Sequence, residues 1–189
     1  MKKVIVCLVL CLLCGCSTKE KSPLEVTETV FNHLKTMNYY EISDYTLDTP
    51  TQNNWDTFYQ SIKENKVKMT CLKYLQDFDV SYIIEYESKD NATILVTMKL
   101  HNLAETRELF LEYFIQAFEY YNDPPKYQEE LKKAYTQAFE RSTPSLILTY
   151  RVALVSVNGK WKIEQINDFL NNYVNTIINQ INLIDYYNY

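Results

Sequence analysis

Phe78-Asp79-Val80-Ser81-Tyr82-Ile83-Ile84-Glu85-Tyr86-Glu87 is the stretch that decides the fold, because there the hydrophobic period changes from helical to two. Phe78, Val80, Tyr82, Ile84 and Tyr86 fall on one face and Asp79, Ser81, Glu85 and Glu87 on the other, the alternation of a strand with one buried side. Lys89-Asp90-Asn91 supplies a turn, and Ile94, Val96, Met98 and Leu100 repeat the pattern, so the two runs are expected to pair as a hairpin. Leu146, Leu148, Tyr150, Val152 and Leu154 line one face of a third strand, which Asn158-Gly159 turns onto a fourth through Trp161 and Ile163. A type I′ turn needs positive φ at both central residues, which is why Asn-Gly is the strongest short-range hairpin signal. Gly159 is the only glycine after Gly15, so its position is informative.

Helical patterns surround these strands. Ser22-Pro23-Leu24-Glu25 reads as a capping box with proline at the first helical position, and Val26, Val30, Leu34 and Met37 then share a face with Phe31 beside them. Asn38 to Ile42 predicts a short second helix fading by Asp44, and Leu47 to Asn54, with Pro50, a loop. Trp55, Phe58, Tyr59 and Ile62 recur at helical spacing, while Val67 to Leu75 suits helix and strand equally. Between the two hairpins, Asn102 and Glu105 mark a helix start, followed by Phe110, Phe114, Ala117 and Tyr121 up to Asp123-Pro124-Pro125. A further helix from about Lys126 to Arg141 turns Tyr127, Leu131, Ala134, Ala138 and Phe139 inward, with Glu129 and Lys133 spaced to pair. From Phe169 the period returns to 3.6 through Leu170, Val174, Ile177, Ile178 and Ile181. The fold class is therefore α+β, with an inserted helical hairpin at about 103–141 and a C-terminal helix.

The N-terminus carries an address. Met1-Lys2-Lys3 is cationic, Val4 to Leu13 is apolar, and Gly15 precedes Cys16, which is the order of a secretory signal peptide over residues 1–15. The apolar run falls short of the roughly 20 residues that a membrane-crossing helix needs. Leu13-Cys14-Gly15-Cys16 resembles the lipobox of bacterial lipoproteins, although Cys14 stands where Ala or Ser is more usual. The resemblance implies cleavage before Cys16, diacylation of its sulfur, and a partner in the lipid bilayer, reached through acylated Cys16. Two or more acyl chains exceed the one-chain threshold for stable anchoring. The expected location is the extracytoplasmic face of the cell membrane, with 16–22 as a polar tether and 23–189 as one domain. Cleavage leaves 174 of the 189 residues, enough for a sizeable core. It also takes the formal charge from −5 to −7 by removing Lys2 and Lys3, which sets nucleic acid aside as a partner.

Ser22-Pro23-x-Glu25-Val26 with Phe31, Leu34-Lys35 and Asn38-Tyr39 resembles the first helical pair of nuclear transport factor 2-like domains in Gram-positive lipoproteins. Val157-Asn158-Gly159-Lys160-Trp161-Lys162-Ile163 resembles their closing hairpin. The resemblance implies a cone in which a curved antiparallel sheet wraps the N-terminal helices around a pocket. Tyr82, Tyr86, Tyr150 and Trp161 are the candidate lining residues. The inserted helical hairpin departs from that pattern and would cap or fill the pocket.

The sequence offers little chemistry. With no glycine between Ser17 and Asn158, neither a Walker loop nor a dinucleotide fingerprint exists. Cys71 is the one thiol left after Cys16 is acylated, and Met69, Leu72 and Leu75 around it describe a small buried hydrophobe rather than a nucleophile. His33 lies off the first helix's apolar stripe and His101 on the outward register, too distant from one another for a metal site. Enzymes of the resembled fold use a carboxylate or histidine inside the cone, and the inward strand faces hold no Asp, Glu or His. No catalytic residue, metal or cofactor is assigned. The seventeen tyrosines are read as compositional bias toward AT-rich codons. The expectation is a non-enzymatic module at the cell envelope that binds a small apolar ligand or an envelope protein. The alternative is a small isomerase- or dehydratase-like enzyme. A carboxylate or histidine at the base of the cone would favour chemistry, an open apolar cavity a ligand, and a filled interior a protein partner.

Overall fold

The computed structural model describes residues 20–50 and 53–184, so the signal peptide, Cys16 and the first part of the tether lie outside the described residues. The first helix, α1 (Pro23–Lys35), opens on the expected capping box: Ser22 Oγ accepts from the Glu25 N–H at 3.2 Å, and the Glu25 carboxylate accepts from the Ser22 N–H at 2.7 Å. Val26, Val30, Phe31 and Leu34 are buried along it. Met37, expected on the same stripe, sits past the helix end at φ 52° and is only half-buried. Short α2 (Tyr39–Ile42) runs into a 3₁₀ turn (Ser43–Tyr45), and a loop leads to α3 (Asn53–Ile62).

The segment that suited helix and strand equally is helix α4 (Lys66–Gln76). Asn65 Oδ1 accepts from the Val67 and Lys68 N–H groups at 3.1 and 3.0 Å, and Val67, Cys71, Leu72 and Leu75 are the buried residues, a helical spacing. Strands β1 (Asp79–Glu87), β2 (Asn91–Leu100), β3 (Leu146–Val157) and β4 (Lys160–Ile163) form an open, curved antiparallel sheet in chain order. Every inward residue of β2, namely Ala92, Ile94, Val96, Met98 and Leu100, is buried. Asn158 and Gly159 both take positive φ, 53° and 79°, as the Asn-Gly turn requires.

β1 departs from the strict alternation. Its register slips between Ile84, which faces Ile94, and Tyr86, which faces Thr93. The bulge places one extra residue in β1, so every side chain beyond it changes face. Tyr86 thereby leaves the inner face for the row of Thr93 and Ala153 and is 56% exposed. Ile84, on the outermost strand, is 45% exposed.

Helices α5 (Leu103–Phe118) and α6 (Pro124–Arg141) leave and re-enter the chain between β2 and β3, which pair directly, with Leu100 opposite Leu146. Asn102 caps α5 through the Ala104 N–H at 3.1 Å, but Glu105 does not close a capping box; its carboxylate receives Asn102 Nδ2 and the Ser145 hydroxyl. Phe110 stacks on Tyr135 between the two helices at 4.1 Å, and Phe139 stacks on Tyr74 of α4 at 4.6 Å. Tyr121, expected inward, lies past the end of α5 and is 62% exposed. Lys133 pairs with Glu130 at 2.8 Å rather than with Glu129, which instead lies 3.9 Å from Lys132. Helix α7 (Ile166–Asn182) closes the fold and buries Ile166, Phe169, Leu170, Tyr173, Val174, Ile177 and Ile181. Ile178, placed with them by period, is half-buried.

Candidate functional site

The inner face of the sheet sets two of the four candidate lining residues in one row. Tyr82 of β1 and Tyr150 of β3 both pair with Val96, one from each side. Rings from the helices meet them there. Phe31 of α1 approaches Tyr82 edge-on at 6.1 Å and Phe169 of α7 at 4.9 Å, and Tyr150 stands edge-on to Phe169 at 4.4 Å. Phe169 stacks on Tyr173, which meets Phe78 at 5.8 Å. Edge-on and stacked rings at these spacings fill volume with favourable quadrupole contacts. Aromatic side chains thus fill the space around Tyr82 and Tyr150 between the inner sheet face and helices α1 and α7.

The electrostatics of this cluster follow from burial. Desolvation pushes the Tyr150 phenol up to about 12, and desolvation with the nearby Glu28 carboxylate pushes Tyr82 up to about 12. Both stay neutral in the physiological range, so neither supplies a phenolate base. The Tyr150 hydroxyl is buried without a hydrogen-bond partner among the described residues. The buried polar residues described are Thr27, Thr46 and Thr106, with no carboxylate or histidine among them.

The other two candidates lie elsewhere. Tyr86 is on the outer face beyond the bulge. Trp161 lines a separate cleft of about 520 Å³ together with Glu20, Lys21, Asp44, Tyr45, Lys160 and Lys162. Within it the Lys21 ammonium reaches the Tyr45 hydroxyl at 3.0 Å and lies 4.5 Å from the ring centre, and Lys162 Nζ donates to the Asp44 carbonyl.

A second cleft, of about 380 Å³, opens between β3 and the start of α7, with Tyr150, Phe169, Arg151, Glu164 and Asp168 among its lining residues. Asp48 holds the start of α7 beside it. One carboxylate oxygen accepts from the Ile166 N–H at 3.1 Å, and the other from the Asn167 N–H and side-chain amide at 3.1 and 2.7 Å. This anion satisfies first-turn donors that Gln165, the N-cap, leaves open. Nothing in the sequence points to Asp48 or to this cleft, because the contact spans 118 positions.

The remaining candidates resolve into structural roles. Cys71 is fully buried and desolvation raises its thiol well above the usual value, so it is inert. His33 Nδ1 meets the Glu41 carboxylate at 2.9 Å. His101, expected to face outward, follows the end of β2 and is half-buried instead, edge-on to Tyr74 and Phe139, with Nδ1 2.8 Å from the Ser142 hydroxyl. Burial lowers its pKa, against the opposing pull of Asp77 and Asp79. Among the described residues no group of three or more His, Cys, Asp or Glu could hold a metal, and no helix is long and apolar enough to cross a membrane.

No protein-family model matches the chain, and no characterised protein matches it in sequence. Among solved structures it is similar to a "putative lipoprotein (ycdA)" from Bacillus subtilis, with 12% identity and a TM-score of 0.48 over 86% of this chain. The chain spans 57% of the length of that protein, and at that score the likeness carries nothing further about this chain.

Proposed function

We propose that the chain is a bacterial lipoprotein held by acylated Cys16 at the extracytoplasmic face of the membrane, and that its domain is a non-enzymatic module that binds an envelope protein. The anchor rests on Lys2-Lys3, the short apolar run and Leu13-Cys14-Gly15-Cys16. One observation carries the choice of partner. The interior that a small apolar ligand would need around Tyr82 and Tyr150 is taken up by Phe31, Phe169 and Tyr173, and the cleft of about 380 Å³ beside it, between β3 and α7, has Arg151, Glu164 and Asp168 among its lining residues rather than an apolar wall. An isomerase or dehydratase of the nuclear transport factor 2-like kind would also need a carboxylate or histidine among those rings. With the interior packed, recognition falls to the surface.

Three experiments test this. Radioactive palmitate should label the full chain and not Cys16→Ala; an unlabelled, soluble wild type overturns the anchor. Cross-linking on intact cells should recover an envelope protein with the wild type. Native mass spectrometry of Ser17 to Tyr189 against a lipid and metabolite extract should show no adduct. A stoichiometric small-molecule adduct overturns the choice of a protein partner.

A further inference from the structure

The sheet stops short on one side. β4 pairs with β3 only from Leu154 to Val157, after which the chain turns into α7, whereas β3 begins at Leu146. The hydrogen bonds fix which backbone groups are left over. The Ala153 carbonyl accepts from the Glu164 N–H at 3.0 Å on the β4 side, and the Ser156 N–H donates to the Asp90 carbonyl at 2.9 Å on the β2 side. In an antiparallel ladder successive residues aim their backbone groups to opposite sides. Ile147, Thr149 and Arg151 therefore point their N–H and C=O groups into the slot where β4 would continue, and among the described residues no strand lies there.

Burial marks the same gap. Leu154 and Val152, at the level of β4, are 1% and 6% exposed. Farther along the same face Tyr150, Leu148 and Leu146 are only half-buried, although Val96, Met98 and Leu100, their partners on β2, are 0% exposed. The cleft of about 380 Å³ between β3 and α7 lies where β4 stops, with Tyr150 and Arg151 at the near end of this edge among its lining residues.

We infer that the bare edge of β3 is a strand-addition site, which takes an extended segment of another protein in which apolar residues alternate with Lys or Arg. This names the surface and partner class for the binding module proposed above and rests on that reading. Backbone pairing with Ile147, Thr149 and Arg151 would give register. Apolar side chains on one face of the incoming segment would cover Leu148 and Tyr150, and basic ones would meet Glu164 and Asp168. Arg151 does not neutralise those carboxylates, since Glu85 holds its guanidinium at 2.9 and 3.3 Å. Charge also argues against a second copy. The other sheet edge, β1, carries Asp79 and Glu87, besides the Glu85 that Arg151 holds, and no cation, so it would set carboxylate against carboxylate. Its bulge and acids are features that discourage pairing.

The probe is acetylated, amidated Lys-Val-Lys-Val-Lys-Val-Lys added to the full chain in detergent, read by amide hydrogen exchange. At about ten times its Kd the peptide should slow exchange at Ile147, Thr149 and Arg151 about ten-fold and leave the β1 amides unchanged. A version N-methylated at alternate backbone positions, or one with Glu in place of Lys, should not. Thr149→Pro removes one N–H aimed at the slot, a substitution that an edge tolerates, and should weaken the peptide at least about ten-fold while β2 amides stay protected. The N-methylated peptide gives the same test without any change to the protein. No slowing, equal slowing by the blocked or acidic peptide, or full affinity in Thr149→Pro overturns the inference. A dimer in sedimentation that Thr149→Pro dissociates overturns the choice of occupant. If cross-linking recovers the same envelope protein from wild type and Thr149→Pro, the module stands and the edge does not; if neither recovers one, the module reading itself fails.

Discussion

Asp48 shows how one loop carboxylate can position an edge. It accepts three hydrogen bonds at the start of α7, and with them sets where the chain leaves β4. Asp48→Ala should cost about 1–2 kcal/mol, the range for a lost helix cap, seen as a lower urea midpoint at unchanged m-value. Tyr150 should behave in the opposite sense. Its hydroxyl is buried without a partner among the described residues, so Tyr150→Phe removes a desolvated group and leaves the ring against Phe169. Stability should hold or rise by up to about 1 kcal/mol in the same titration. His101 gives a pH dependence with a definite sign. Burial lowers its folded pKa, so the unfolded chain binds the proton more readily, and its contribution is fully present above about 6.5, the unfolded value. That contribution is lost as pH falls through the folded pKa. Urea midpoints at pH 8 and pH 5 should drop more for the wild type than for His101→Gln; an equal drop would place the acid sensitivity elsewhere.

The elements differ in how openly the sequence declares them, and the reason is locality. The capping box of α1 and the Asn158-Gly159 turn are each set by residues within four positions, and both formed as read. Gly159 is constrained twice, by φ 79° and by the Glu20 carboxylate 3.1 Å from where a Cβ would stand. Gly159→Ala should therefore cost about 1–2 kcal/mol, measured as a fall in midpoint, and Glu20→Ala should relieve the steric part but not the backbone part. The period leaves helix α4 open, because Val67, Met69, Cys71 and Leu75 would share one face of a strand while Val67, Cys71, Leu72 and Leu75 share one face of a helix, and the Asn65 cap of the first turn goes with the helix. The bulge at Ile84 and Tyr86 left no mark, since an alternating run reads the same with or without an extra residue, and it moved Tyr86 to the outer face. Lys133 chose Glu130 over Glu129, both within reach on a helix surface. The Tyr82 and Tyr150 pair was legible by alternation alone. The clefts were not, because each joins segments distant in sequence.

At the scale of the whole molecule, one aromatic cluster ties together parts that the chain order separates. Phe31 brings α1 to β1 through Tyr82 and to α7 through Phe169, and Phe169 reaches β3 through Tyr150. The inserted helices attach through the stack of Phe139 on Tyr74 and through the Leu103 N–H, which donates to the Gln180 side chain of α7 at 2.8 Å. Phe31→Ala and Phe169→Ala should each cost about 3–5 kcal/mol, as for large-to-small changes in a packed core. Because the two rings touch at 4.9 Å, the double variant should lose less than the sum, with a coupling of at least about 0.5 kcal/mol. Phe31→Ala combined with Phe139→Ala should be additive to within about 0.5 kcal/mol, since no ring contact links the two positions. Urea titrations of the three single and two double variants beside wild type would decide it. Additivity in the first pair would mean that the rings pack side by side without sharing a core, and the sheet would then owe its shape to its ladder rather than to the helices it holds.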